Sequence, residues 1–147
     1  MERYFNLFYS CNQRISIDSR TVESGSLFIA IVGTTFNGNQ FIQSALDNGA
    51  SYCITSEETL SDGERIFYVS DTLLFLQKLA NFHRSRFAIP VIGITGSNGK
   101  TTTKELIVAV LTMKFNVLFT EGNLNNHIGV PLTLLRLKPH HEIAVIE

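Results

Sequence analysis

Residues 91–105 read VIGITGSNGKTTTKE. Val91, Ile92 and Ile94 form a short apolar run around Gly93, as in a strand of a parallel sheet covered on both faces. Gly96 and Gly99 then allow the chain to curl so that successive N–H groups point inward. A helix is expected to open at Lys100-Thr101-Thr102, so its free N–H groups and dipole face whatever the turn holds. A lysine and a hydroxyl at the end of such a turn suit a triphosphate: the lysine reaches the outer phosphates and the hydroxyl holds Mg²⁺. The pattern departs from G-x-x-x-x-G-K-[ST] at one place, where Ile94 stands for the first glycine and the glycines fall at 93, 96 and 99. A βα turn rich in small residues could arise without a ligand. Strand context, three glycines and Gly-Lys-Thr together argue for a nucleoside triphosphate instead, with Thr95, Gly96, Ser97, Asn98, Gly99, Lys100, Thr101 and Thr102 around it.

Downstream the pattern continues as helix, strand (NVLFT), loop, a short helix with Pro131 near its first turn, and a closing strand, EIAVIE. This β-α-β-α-β order calls for parallel strands joined by right-handed crossovers. Three strands are few for a nucleotide domain of this type, so the chain is expected to stop inside its second domain.

Upstream the elements are shorter. RISID alternates in period two, and LFIAIV, SYCITSE and RIFYVSD read as further strands. QFIQSALDNGA has helical spacing, with Gly49 placed to end the helix. Asp71 is positioned to cap a helix in which Leu73, Leu76, Ala80 and Phe87 recur at helical spacing. The expected fold is α/β: a small N-terminal α/β domain over 1–88, then the first β-α-β-α-β part of a P-loop nucleotide-binding domain over 89–147.

The bulk properties exclude several classes. The 147 residues carry a net charge of −1 and 44% hydrophobic residues, so no basic field points to nucleic acid and the chain can bury a core. No apolar run nears the length of a membrane span, and there is no secretion signal. Cys11 and Cys53 lack metal-site spacing and suggest packing in a reducing, cytoplasmic setting.

Nucleotide binding alone leaves a kinase, a switch, a motor or a ligase open. GITGSNGKTTTKE resembles the ATP loop of the Mur ligases, the ATP-dependent amide-forming enzymes of peptidoglycan precursor synthesis. GNLNNHIGVPLTLL (122–135) and the Thr-Lys-Glu after the loop resemble the MurF branch more than the MurE branch. DSRTVESGSLFIAIVGTTFNGNQFI (18–42) resembles the N-terminal domain that both branches share, and the terminal AVIE resembles the strand whose closing glutamate meets the metal.

The resemblance implies ATP and Mg²⁺ as cofactors, with Thr101 and Glu147 on the metal and Lys100 and Glu147 as catalytic groups. It implies UDP-MurNAc-tripeptide and D-Ala-D-Ala as small-molecule substrates joined through an acyl phosphate, in a cytoplasmic and monomeric protein. On the residues alone, Asp18-Ser19-Arg20 reads as a self-satisfied turn. The resemblance instead makes Ser19 and Arg20 contacts to the UDP-linked substrate, with Phe36, Asn37 and Gly38 as the matching loop. Asn123, Asn125 and Asn126 lean towards substrate or phosphate contact. Lys104 and Glu105, one turn into the helix, read at least as readily as a solvated face. A MurE-like or folylpolyglutamate-synthase-like ligase, or a P-loop module without catalysis, are the alternatives. Residues 1–147 alone are expected to lack ligase activity.

Overall fold

A computed structural model describes all residues from Met1 to Glu147. The chain divides into two compact units, Met1–Leu79 and Ala80–Glu147. Each is built on its own parallel sheet.

In the first unit, β1 (Ile15–Ser16), β2 (Leu27–Ile29), β3 (Tyr52–Thr55) and β4 (Ile66–Tyr68) pair in sequence order, all parallel. Every residue of β2 is buried, as its unbroken apolar run requires of an inner strand. Phe28, Ala30, Ile42, Ala45, Ala50 and Cys53 form the core between this sheet and α2 (Ile42–Asp47). Burial of each large apolar side chain there contributes about 1.5–3 kcal/mol. Burial pushes the Cys53 thiol up to about 12, and both cysteines are free and buried. They are packing residues, as their spacing suggested.

Ahead of β1 stands a helix to which no sequence element was assigned, α1 (Glu2–Ser10), which buries Phe5 and Phe8. Tyr4 meets Phe75 edge-on with ring centres 5.1 Å apart. Tyr4, Phe5, Phe8 and Cys11 recur at helical spacing, a signal that the aromatic run partly hides.

The loop after β2 doubles back on itself. Val32 bridges Asn37 and Gly33 N–H donates to the Phe36 carbonyl at 2.8 Å. Gly38 then passes so close to Ile31 that a Cβ there would lie 2.5 Å from the Ile31 carbonyl oxygen. Asn39, 5% exposed, ties the loop to the end of β3: its Oδ1 accepts from Thr55 Oγ1 and Ser56 N, and its Nδ2 donates to Ser56 Oγ and Asn37 Oδ1.

α3 (Thr72–Arg84) is capped by Asp71, whose Oδ1 accepts from Leu74 N at 2.8 Å. The division between the units falls inside this helix, earlier than the expected 88/89 boundary. The reason lies in what each end of α3 holds. Thr72 donates to the Ala30 carbonyl in the first unit. His83 is fully buried in the second, where Nε2 is 3.0 Å from the Leu137 carbonyl and its ring meets Phe87 edge-on.

In the second unit, β5 (Val91–Gly93), β6 (Val117–Phe119) and β7 (Ile143–Ile146) pair in the order β5-β7-β6, all parallel. α4 (Lys100–Leu111) and α5 (Gly129–Leu135) complete it. The expectation that β5 is covered on both faces does not hold. Val91 is 39% exposed, and Leu106 and Val110 of α4 stand outward. The central, buried strand is β7, which packs Ala144 and Ile146 with Leu118 and Leu137 and buries Val145 as well. Its position comes from the crossovers and not from its own composition: both neighbouring strands hydrogen-bond to it.

Candidate functional site

Three strand ends bring the site of the second unit together. β5, β7 and β6 run in parallel, so the turn after β5, the residue after β7 and the loop after β6 all emerge at their carboxyl ends, where open α/β sheets hold ligands.

Ile94 N–H still donates to the Ile146 carbonyl at 2.8 Å, so the β5 ladder extends one residue into the quoted stretch. This is why the first glycine of the general pattern is not needed at position 94: the chain leaves the sheet only at Thr95. Gly96 (φ +148°) and Gly99 (φ +76°) then take left-handed backbone that other residues resist. Gly99 stands at the N-terminus of α4 and turns the loop into the helix axis. Thr95, Gly96, Ser97, Asn98, Gly99 and Thr102 are all exposed around this turn. The Lys100 ammonium folds over it and donates to the Gly96 carbonyl at 2.6 Å. The result is an exposed turn at a helix N-terminus with a cation folded over it, an arrangement suited to an anion.

Behind the turn lies a polar cluster. Glu147 Oε1 accepts from Thr101 Oγ1 at 3.1 Å and from Asn125 Nδ2 at 2.9 Å. Its backbone N–H donates to Thr120 Oγ1 at 3.0 Å. Its Oε2 is buried, accepts no hydrogen bond and lies 3.7 Å from Lys104 Nζ. The hydrogen bond from Asn125, then that from Thr101 and the charges of Lys104 and Lys100, hold the carboxyl below its ordinary value, against the opposing effect of burial. An ionised carboxylate whose Oε1 lies beside a threonine hydroxyl is a hard-oxygen donor set of the kind Mg²⁺ takes. The residues fit that ion.

Lys104 does not belong to a solvated face. It is fully buried, with Nζ 2.7 Å from the Thr120 carbonyl. The signal was present in the spacing: Thr101, Lys104 and Val108 fall at i, i+3 and i+7 on one side of α4, and Val108 is buried too. A lysine among polar helix residues looks solvated until the opposite strand is known to end in a carboxylate. Glu105 is the exposed member of the pair, with its carboxylate 3.1 Å from Lys104 Nζ.

The three asparagines separate. Asn125 meets Glu147. Asn126 Oδ1 accepts from Ile128 N and Gly129 N and so caps the start of α5. Asn123 is exposed.

The first unit has a second site. A cavity of about 420 Å³ is lined by Ile17, Asp18, Ser19, Arg20, Phe28, Phe36 and Phe41. Phe36 and Phe41 stack with ring centres 5.4 Å apart and planes 9° from parallel. Asp18 and Arg20 form the self-satisfied turn that the residues alone suggested. Arg20 Nε donates to both carboxylate oxygens of Asp18, Nη2 donates at 2.6 Å, and Arg20 N–H is capped at 3.0 Å. These hydrogen bonds lower the Asp18 carboxyl to about 2. The Arg20 side chain is nevertheless 85% exposed, so its remaining donors face the cavity and solvent. Ser19 is buried at the wall. Asn37 and Gly38, expected beside Phe36, are placed differently. Asn37 caps the short 3₁₀ turn at Gly38–Phe41 and donates to Glu57, while Gly38 is a point of close backbone approach.

Both units have counterparts among known proteins. The Mur ligase middle-domain model matches residues 94–147, and the model of the Mur ligase family catalytic domain matches residues 13–84. The UDP-N-acetylmuramoyl-tripeptide–D-alanyl-D-alanine ligase of Synechocystis sp. is 50% identical over 135 residues, which is 90% of this chain and 30% of that protein. A crystal structure of MurF from Acinetobacter baumannii superposes with a TM-score of 0.84 at 41% identity, over 91% of this chain and 30% of that one. MurF ligase from Thermotoga maritima, solved in complex with ADP, gives 0.82 at 39%, over 93% of this chain and 32% of that one. The chain thus spans about 30% of the length of the curated relatives it matches. With both of its units matched in order, and with the glycine turn and closing glutamate where three parallel strands end, the chain belongs to the Mur ligase family.

Proposed function

We propose that the chain carries the UDP-substrate domain and the ATP-gripping part of a MurF-type ligase, which joins D-Ala-D-Ala to UDP-MurNAc-tripeptide in the cytoplasm. The observation that carries this reading is the convergence of Lys100, Thr101, Asn125 and Glu147 at the carboxyl ends of β5, β6 and β7.

The chemical demand is charge control. A substrate carboxylate must approach the γ-phosphate of ATP, and both are anions. In the proposed reaction the carboxylate oxygen takes the phosphoryl group and ADP leaves. The amine of the dipeptide then attacks the acyl phosphate carbon and expels inorganic phosphate, so that an amide replaces the mixed anhydride. Lys100 and the amides of residues 95–101 hold the phosphates and neutralise charge that would repel the carboxylate. Thr101 and Glu147 would hold Mg²⁺, which supplies further neutralisation when bound. Asn125 orients Glu147 by fixing Oε1. In the first unit the Phe36–Phe41 stack offers a flat apolar wall, and Arg20 offers a fork for a diphosphate. The turn at Asp18 holds that fork in a single orientation, which lowers the entropy lost on binding.

The test is binding to this chain by calorimetry. ATP with Mg²⁺ should bind and Lys100→Ala should abolish it; UDP-MurNAc-tripeptide should bind and Arg20→Ala should weaken it. No binding of the UDP-linked substrate, with ATP binding retained, would overturn the ligase reading in favour of a bare nucleotide module.

A further inference from the structure

The two carboxylate oxygens of Glu147 are not equivalent. Oε1 faces the Thr101 hydroxyl and the Asn125 amide. Oε2 faces the buried ammonium of Lys104 at 3.7 Å. That ammonium is not free to swing away, because Nζ donates to the Thr120 carbonyl at 2.7 Å. Thr120 in turn accepts the Glu147 backbone N–H on its hydroxyl, at 3.0 Å. Lys104, Thr120 and Glu147 therefore close a ring of contacts between α4, the end of β6 and the end of β7. Both charged side chains of the ring are 1% exposed. The same ammonium also meets the exposed carboxylate of Glu105 at 3.1 Å, while Lys104 is the one cation in salt-bridge reach of Glu147.

We propose that Lys104 is a positioning residue that sets the cation specificity of the site: by standing at Oε2, it leaves Glu147 a single oxygen to offer. This rests on the reading of Thr101 and Glu147 as cation ligands. Ca²⁺ takes six to eight oxygens at variable angles and readily chelates a carboxylate through both. Mg²⁺ demands a small octahedron, keeps several waters and is satisfied by one carboxylate oxygen. A second cation approaching Oε2 meets the positive charge of Lys104 at close range, so two-oxygen chelation is opposed while one-oxygen ligation is not. Asn125 reinforces the choice by fixing the rotation of the carboxylate from the other side. Thr101, Lys104 and Glu147 thus act together, although Lys104 itself touches neither cation nor nucleotide.

The experiment measures ATP affinity of the 147-residue chain by calorimetry in Mg²⁺, in Ca²⁺ and in EDTA, for the parent, Lys104→Met and Glu147→Gln. The parent should favour Mg²⁺. Lys104→Met should narrow the Mg²⁺-over-Ca²⁺ preference by about tenfold or more, the size of effect seen when a ligand's outer partner is removed. Affinity in EDTA should be unchanged, which a general loosening of the loop would not allow. Glu147→Gln should lose the cation dependence in both ions. If Glu147→Gln keeps that dependence, or if the parent shows none, the ligand reading of Glu147 fails and the inference falls with it. If Glu147→Gln loses it while Lys104→Met keeps the parent ratio, the inference about Lys104 alone is overturned. Infrared spectra of the parent provide a check that needs no folded Lys104 variant. The Glu147 carboxylate bands, assigned by difference against Glu147→Gln, should show one-oxygen ligation with either ion, and two-oxygen ligation with Ca²⁺ would refute the proposal.

Discussion

Replacement of Gly38 by alanine tests whether this residue reads a ligand or shapes the loop that does. An added Cβ would lie 2.5 Å from the Ile31 carbonyl oxygen and 2.8 Å from both Ala30 C and Ile31 N. All three are backbone atoms of a buried segment, so no side chain can rotate away. Relief requires the loop to move outward by roughly 1 Å, to reach ordinary contact at ~3.5 Å or more. The same movement stretches the 2.9 Å hydrogen bond from Gly38 N–H to the Ile31 carbonyl. Overpacking costs about 1–3 kcal/mol and the lost hydrogen bond about 1 kcal/mol. The stiffer unfolded chain offsets about 0.5–1 kcal/mol of that. The net destabilisation is about 2 kcal/mol, or about 10 °C in Tm for a unit of this size. Phe36 sits two residues away on the same loop and lines the cavity, so affinity for UDP-MurNAc-tripeptide should fall as well. Thermal melts followed by circular dichroism, with calorimetric titration of the UDP-linked substrate, measure both. An unchanged Tm together with lost affinity would refute the steric argument and make Gly38 a ligand contact.

Three further outcomes are expected. Arg20→Ala should weaken UDP-MurNAc-tripeptide by about tenfold or more, as loss of a charge-assisted fork does, and leave ATP affinity unchanged; equal affinity for the variant would remove Arg20 from the site. Asn126→Ala should destabilise the second unit by about 1 kcal/mol through loss of the α5 cap, whereas Asn125→Ala should leave Tm nearly unchanged and weaken Mg²⁺-dependent ATP binding; the reverse pattern would mean that their roles are exchanged. The pH dependence follows from His83. Burial, opposed by the Leu137 carbonyl, lowers its folded pKa from 6.5, so the unfolded chain binds the proton more readily. Its contribution is fully present above pH 6.5 and is lost as pH falls through the lowered value. Denaturant midpoints should therefore decline below about pH 6.5, and His83→Gln should flatten that decline. The carboxyls of Asp18 and Glu147, held low in the fold, add a second loss at more acidic pH by the same sign: their stabilisation is present above the unfolded value and disappears as pH drops through the folded one.

Much of this molecule was legible from local pattern. The strands, the Asp71 cap, the glycine turn and the helix opening at Lys100 each depend on a few neighbouring residues. Apolar runs, a short capping side chain and glycines at left-handed positions act over one or two turns of chain. The position of β7 at the centre of its sheet was not legible, because order within a sheet is set by crossovers and not by composition. The burial of Lys104 was not legible either. A lysine flanked by Thr103 and Glu105 is solvated unless a countercharge waits across the fold, and Glu147 is 43 residues on, counting from 104 to 147.

The candidate site divides in the same way. The residues of the loop, 95–102, are consecutive, so sequence alone set their chemistry and their order on strand, turn and helix. Which of three adjacent-looking asparagines faces the closing glutamate, and which merely starts a helix, was decided by where β6 and α5 come to rest. Gly38 makes a related point in the first unit: the resemblance implied a substrate contact, and its close approach to the backbone of Ile31 was visible only in the fold. Short-range sterics and hydrogen bonding are encoded residue by residue. A contact such as Thr101 to Glu147, across 46 positions, exists only once parallel pairing has brought the ends of β5 and β7 side by side.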